Sequence, residues 1–322
     1  MRPTRLLGLA LLLASVLLAG CGKNSNPASP LGNTPASPSS NDQALVTSTI
    51  AAAPQAVEDG LADLPDPTSI GGVPGSPGLM SAIQPLNFWR TVRERDRTLE
   101  FAFSDLDPDQ RPTTALVTIR KRLVGQFNIL VGPPAVDATP GGGPPPVGDA
   151  PVVHKPLEDQ WVRRVLLKRI RLEGEGGEAR WRIAAVSGVK VTSKDATTHI
   201  LSLRIQAADE ATTILDPLEF QRLRRILRFQ PETRVTLTVT TERNNDVVVL
   251  HHRDHRFRFH NNGDKTYTGE WPTGLPFRGL GHFGINALSN GTLFDDQAPY
   301  DSQSWIFPYT LEPPDQMAEF LP

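Results

Sequence analysis

Four of the seven histidines lie between positions 251 and 260, three of them in the run His251-His252-Arg253-Asp254-His255. Imidazole and carboxylate together are the ligand chemistry of zinc-type ions. In an extended segment His252 and Asp254 face the same way, about 7 Å apart, whereas His251 and His255 are about 13 Å apart and cannot share one ion. A helix would bring His251 and His255 together, but the flanking alternation of Val and Phe points to strand. A third ligand would have to come from elsewhere, and the sequence indicates none. Asp295, Asp296 and Asp301 offer oxygen ligands of the calcium type, yet the twelve-residue EF-hand spacing is absent and Gly291 and Pro299 mark an ordinary turn. Arg222, Arg225 and Arg228 form a basic stripe that suits either solvent or anionic lipid heads. Nucleophile elbow, Walker loop, dinucleotide fingerprint and zincin helix are all missing. No metal and no cofactor are expected, and no residue is assigned to catalysis.

The chain contains one cysteine, Cys21, at the end of an export-type leader. Arg2 and Arg5 form a positive start, Leu6 to Leu18 an apolar run, and Ala19-Gly20 a small-residue cleavage site. That run is too short to span a bilayer, which takes about 20 apolar residues. Leu18-Ala19-Gly20-Cys21 resembles the lipobox of bacterial lipoproteins, in which the cysteine thiol is joined to diacylglycerol and the leader is removed just before it. The resemblance implies a signal peptide at 1–20, acylation of Cys21 and attachment to the cell envelope. Gly22 follows the cysteine where lipoproteins kept at the inner membrane often carry Asp, so the outer membrane is favoured in a host that has one. With Cys21 used for lipid, no disulfide can hold the domains together.

Residues 21–40 are rich in Gly, Asn, Ser, Pro and Ala and read as a tether with a reach of about 20 to 25 Å. Without Arg2 and Arg5 the formal charge is about −4, which excludes a general nucleic-acid binder. Some 300 residues exceed one typical core, so two domains are expected, at 41–192 and 193–322.

Ser40-Asn41-Asp42-Gln43 has capping-box spacing ahead of a helix that Pro54 would end. A second short helix is expected over Gln55 to Leu61 and a third near Leu79 to Val92, with Pro and Gly loops between. Strand alternation follows at Leu99 to Phe103, Thr113 to Arg120, Phe127 to Val131, Trp161 to Leu172 and Trp181 to Val191. The segment Gly132 to Pro151, with Gly141-Gly142-Gly143-Pro144-Pro145-Pro146 at its centre, reads as a long excursion between strands. The order of helices before long strands resembles the NTF2-like cone fold. That resemblance implies an α+β domain whose aromatics, Trp89, Phe101, Phe103, Trp161 and Trp181, line an apolar cavity; a solid core is the other reading.

In the second half, strands are expected at His199 to Ala207, Val235 to Thr240, Val247 to His251, His255 to His260, Tyr267 to Trp271, Gly281 to Leu288 and Ser304 to Thr310. Asp216-Pro217 would open one short helix carrying Phe220, Leu223, Ile226 and Leu227 on one side. This spacing is similar to an immunoglobulin-like β-sandwich without its disulfide. The expected whole is therefore an α+β domain followed by an all-β sandwich, anchored to a membrane by lipid. Its expected role is non-catalytic binding of an envelope protein or a small apolar ligand. The alternatives are a hydrolase or isomerase pocket in the first domain, where His154 is the only histidine before His199, and a scaffold for envelope assembly.

Overall fold

Alternating burial along unusually long segments shapes the protein. β2 (Pro85–Leu106), β3 (Pro112–Val131), β4 (Val152–Arg171) and β5 (Ala179–Ser193) form an antiparallel meander. At about 3.3 Å per residue the 22 residues of β2 extend roughly 70 Å, far beyond a usual strand. The computed structural model describes residues 40–61, 68–69, 83–132, 151–171, 179–208, 210–222, 226–252, 255–275 and 277–311. The leader, Cys21, nearly all of the tether, the segments at 62–67, 70–82 and 133–150, Arg225 and Asp254 lie outside these residues.

The remaining elements are α1 (Ser40–Ala51), α2 (Pro54–Val57), β1 (Thr68–Ser69), β6 (Ile200–Ala207), β7 (Glu210–Ile214), β8 (Phe220–Arg222) and β9 (Leu227–Phe229). They continue with β10 (Arg234–Thr241), β11 (Val247–His252), β12 (His255–Arg258), β13 (His260–Asn261), β14 (Thr266–Pro272), β15 (Phe277–Leu288), α3 (Asn290–Phe294) and β16 (Ser302–Leu311). One sheet of eleven strands runs β1-β2-β3-β4-β5-β16-β15-β11-β12, with β8 beside β5 and β9 beside β16. A second sheet runs β13-β14-β10-β6-β7. All pairs are antiparallel except β9 with β16. Strands from either side of residue 192 thus share the large sheet, through the pairing of β5 with β16.

The expected α+β class is overturned: strands hold 66% of the described residues and helices 9%. α1 does begin at Ser40, and α2 follows Ala53 with Pro54 in its first turn. The expected third helix is instead the start of β2, because Phe88, Arg90 and Val92 face inward at a period of two rather than three to four. Among the described residues the helix expected after Asp216 does not form; its flanks are β8 and β9, each three residues long and each adding to the large sheet. The short helix of the second half is α3, which Ser289 caps through its hydroxyl to the Thr292 N–H. The chain is therefore mostly β, built on two antiparallel sheets with three short helices among the described residues.

The large sheet curls. Phe88, Phe127, Ile129 and Leu157 near one end pack with Val247, Val249 and Leu288 of β11 and β15, strands far away in the sheet order. A bulge between Val92 and Glu94 bends β2 around Gly125, where any Cβ would fall 1.9 Å from the Thr91 carbonyl oxygen. Inside the curl, Val46, Ile50 and Val57 of the two helices close over Trp161, Trp181, Phe103 and Val189. Outside it, Phe283, Trp305, Phe307 and Tyr309 pack against Leu203, Leu237, Val239 and Trp271 of the second sheet. β11, β15 and β16 are therefore buried on both faces. β2 is the opposite case: only Thr68 and Ser69 pair along its outer side among the described residues, and residues 93–98 are all exposed.

Candidate functional site

Strand alternation sends His251 and His252 to opposite faces of β11. His252 enters the sandwich core, where its ring lies 4.8 Å from that of Trp271 and Nε2 meets the Tyr309 hydroxyl. His251 turns into the curl. There it borders a small void of about 20 Å³ with Arg90, Asn286, Ser304, Leu61 and Ile306. Beside Arg90 lies Asp159, fully buried, with a guanidinium-to-carboxylate distance of 3.5 Å. Tyr300 Oη lies 3.2 Å from Asp159 Oδ2 and 2.6 Å from Ser302 Oγ.

Several polar atoms here have no hydrogen-bond partner: Asp159 Oδ1, His251 Nε2, and both amide atoms of Asn286. Orphaned polar atoms are costly in a low-dielectric interior. The void is large enough for one water and too small for an organic substrate. Burial raises the pKa of Asp159, opposed by Arg90 and then by the Tyr300 hydrogen bond. Burial holds His251 well below the ordinary histidine range, helped by repulsion from Arg256 and Arg90.

A second polar cluster lies deeper under α2. Arg163, wholly buried, donates to the carbonyls of Ser187 (3.1 Å) and Val57 (2.9 Å). Burial lowers its pKa to about 10, while Asp59 and Glu58 pull it upward. Asp59 accepts from the Trp161 indole at 2.6 Å and from the Leu61 N–H at 2.7 Å. His282, beside this group, is lowered to about 4 by burial and then by Arg163.

Both histidines are thus neutral in the fold and can charge only after unfolding. Their folded pKa values lie below 6.5, so the stability they contribute is present above pH 6.5 and falls away below it, for His282 as pH falls through about 4. Unfolding below pH 6.5 should take up protons, and His282→Gln should flatten the fall of the urea midpoint between pH 6.5 and 4. An unchanged slope in that variant would show that His282 does not titrate this way.

Other residues singled out by sequence are engaged elsewhere. Asp301 accepts from the N–H groups of Thr197 and Thr198 at 3.0 and 3.1 Å and from both their hydroxyls. Asp295 caps Gln297, and Asp296 is exposed, so the three carboxylates do not converge. The loop's cation is internal: Lys155 Nζ donates to the carbonyls of Gly291, Asp295 and Ala298 at 3.0, 2.5 and 2.6 Å. Among the described residues no three His, Cys, Asp or Glu converge on a metal position. Arg222 and Arg228 sit on separate short strands, not one helical stripe.

Trp161, Trp181 and Phe103 fill a core instead of lining a cavity; Phe101 stacks on Phe103, and Trp89 projects from the opposite face to Phe88 and Arg90. His154 is exposed and bonds Asn128 Oδ1 at 2.7 Å. A recess of ligand size lies on the surface, between the edge of the second sheet and β9. Its volume is about 350 Å³. Ile205 and Ala207 of β6 face Ile226, Leu227 and Phe229 across it, and Glu210 and Arg228 supply its ionisable groups. Sequence reasoning missed this recess because its walls come from strands that pair with different sheets. No family model, curated protein or solved structure matches the chain.

Proposed function

We propose that this chain is a lipid-anchored envelope protein that binds a small apolar ligand or an apolar segment of a partner without transforming it. The observation that carries the reading is the 350 Å³ recess, a volume in the range of ligand sites, whose mixed walls combine apolar side chains of β6 and β9 with Glu210, Thr212 and Arg228. Leu18-Ala19-Gly20-Cys21 supplies the anchoring half of the proposal, with Cys21 acylated and the outer membrane the favoured location. Two acyl chains, at about 0.8 kcal/mol per buried methylene, hold a protein to a bilayer where one would not.

Each half has its own test. Cys21→Ser should abolish incorporation of labelled palmitate and move the protein from the membrane to the soluble fraction; a wild-type protein that is already soluble and unlabelled overturns the anchor. Ala207→Trp should fill the recess and weaken binding of an apolar fluorescent probe at least tenfold, with the circular dichroism spectrum unchanged. Equal affinity in that variant overturns the recess as the binding site.

A further inference from the structure

Asp246 closes the turn between β10 and β11 and is only 4% exposed, yet neither carboxylate oxygen has a hydrogen-bond partner. Two hydroxyls lie nearby, and that of Thr241 also acts on the carboxylate, lowering its pKa. Tyr267 Oη gives its hydrogen to the Arg243 carbonyl at 3.0 Å while accepting from the Asp246 N–H. Thr241 Oγ1 donates to the same Arg243 carbonyl at 2.7 Å. A buried carboxylate left in this condition must be compensated by a proton or by a cation.

The surroundings select between these. A void of about 60 Å³ lies against Asp246 and is bordered by the amide-bearing residues Asn245, Asn261 and Asn290, with Tyr267 and Arg258 completing its polar wall. About two water volumes fit, enough for a small cation with part of its hydration shell. Of the charges that act on Asp246, Arg243 attracts while Asp301 and Glu242 repel, so two further carboxylates share its neighbourhood. Carboxylate and amide oxygens are hard donors, suited to calcium-class ions and poorly suited to zinc or copper.

We propose that Asp246, with amide oxygens from Asn245, Asn261 and Asn290, binds a hard divalent cation of the calcium class at the junction of the two sheets. This site is distinct from the Asp295-Asp296-Asp301 loop and does not depend on the surface recess.

Terbium ions provide the test, because Tyr267 borders the void and can sensitise their emission. The full-length chain should give tyrosine-sensitised terbium luminescence that saturates at one equivalent and is displaced by calcium. Calcium at about a hundredfold excess over Kd should also raise Tm by roughly 5 °C relative to EDTA. Asp246→Asn, nearly isosteric, should lose the emission and the calcium-dependent shift, and Asn290→Ala should weaken both severalfold. The proposal is overturned by an absence of emission and of any calcium-dependent shift in the wild-type chain. It is equally overturned by emission that survives Asp246→Asn.

A proton as the compensating charge has its own signature. With the pKa of Asp246 raised by burial to about 6, stability would be fully present below pH 3.8 and lost as pH rises through 6. A wild-type protein that shows this loss, absent from Asp246→Asn, and ignores calcium would assign the role to a proton and end the cation proposal.

Discussion

Trp161→Ala is expected to lower stability by about 3–5 kcal/mol, a large fraction of the roughly 5–15 kcal/mol that holds a typical domain together. The indole is fully buried beneath the two N-terminal helices, with Lys121 Nζ 4.4 Å from its ring centroid. Deleting it opens a cavity in the largest part of the inner core and removes the N–H that Asp59 accepts at 2.6 Å. Asp59 is 6% exposed and would lose a charge-assisted hydrogen bond as well. Trp161→Phe separates the two effects: it keeps most of the ring volume, so its cost should be chiefly the lost hydrogen bond, about 1–3 kcal/mol. Urea denaturation with an unchanged slope is the measurement. A loss below about 1 kcal/mol for Trp161→Ala would mean that the helices do not seal this core.

The second large effect belongs to Arg90 and Asp159. Asp159→Ala leaves a guanidinium only 9% exposed beside a space emptied of its carboxylate, and breaking one side of a buried pair costs about 3–5 kcal/mol. Replacing both residues behaves differently, because the desolvation of two charges is removed together. Arg90→Met with Asp159→Leu should recover most of the loss, and a double-mutant cycle would read the coupling directly. If the double variant is as unstable as Asp159→Ala, the pair is not what holds β2 against β4 and β16 at this end of the curl.

These two sites also mark where sequence reading stops. The strands from Leu99 onward were legible because small and apolar residues alternate there, and Val235 to Thr240 appears as β10 with only one residue added at each end. The N-terminal part of β2 was not, since an arginine at the inward position 90 and a proline at 85 disguise a strand as the edge of a helix. Arg90, Asp159 and Arg163 each look like solvent-facing residues in a local window. They are inward because the sheet curls, and the curl is set by contacts between residues more than a hundred positions apart.

The same limit applies to His251. Its strand was expected, but its partners Arg90 and Asn286 lie on β2 and β15, and His252 drew attention because Asp254 stood two residues away. Asp216-Pro217 carries a true helix-start signal that tertiary pairing overrides: Phe220 and Leu227 gain more from extending the large sheet than from a short amphipathic helix.

The charged run along β2 governs how two copies of this chain treat each other edge to edge. Antiparallel addition of a second β2 about a two-fold axis always sets residues of equal parity opposite one another, since the two strands share a sheet face. Within residues 94–100 such registers set Glu94, Asp96 and Glu100 opposite acids or Thr98, and Arg95 and Arg97 opposite arginines or Leu99, and never an acid opposite an arginine. Like charges directly opposed across strands are repulsive. A long strand whose outer side is paired only at Thr68 and Ser69 among the described residues, and which would otherwise template association, is thereby forbidden to its own kind.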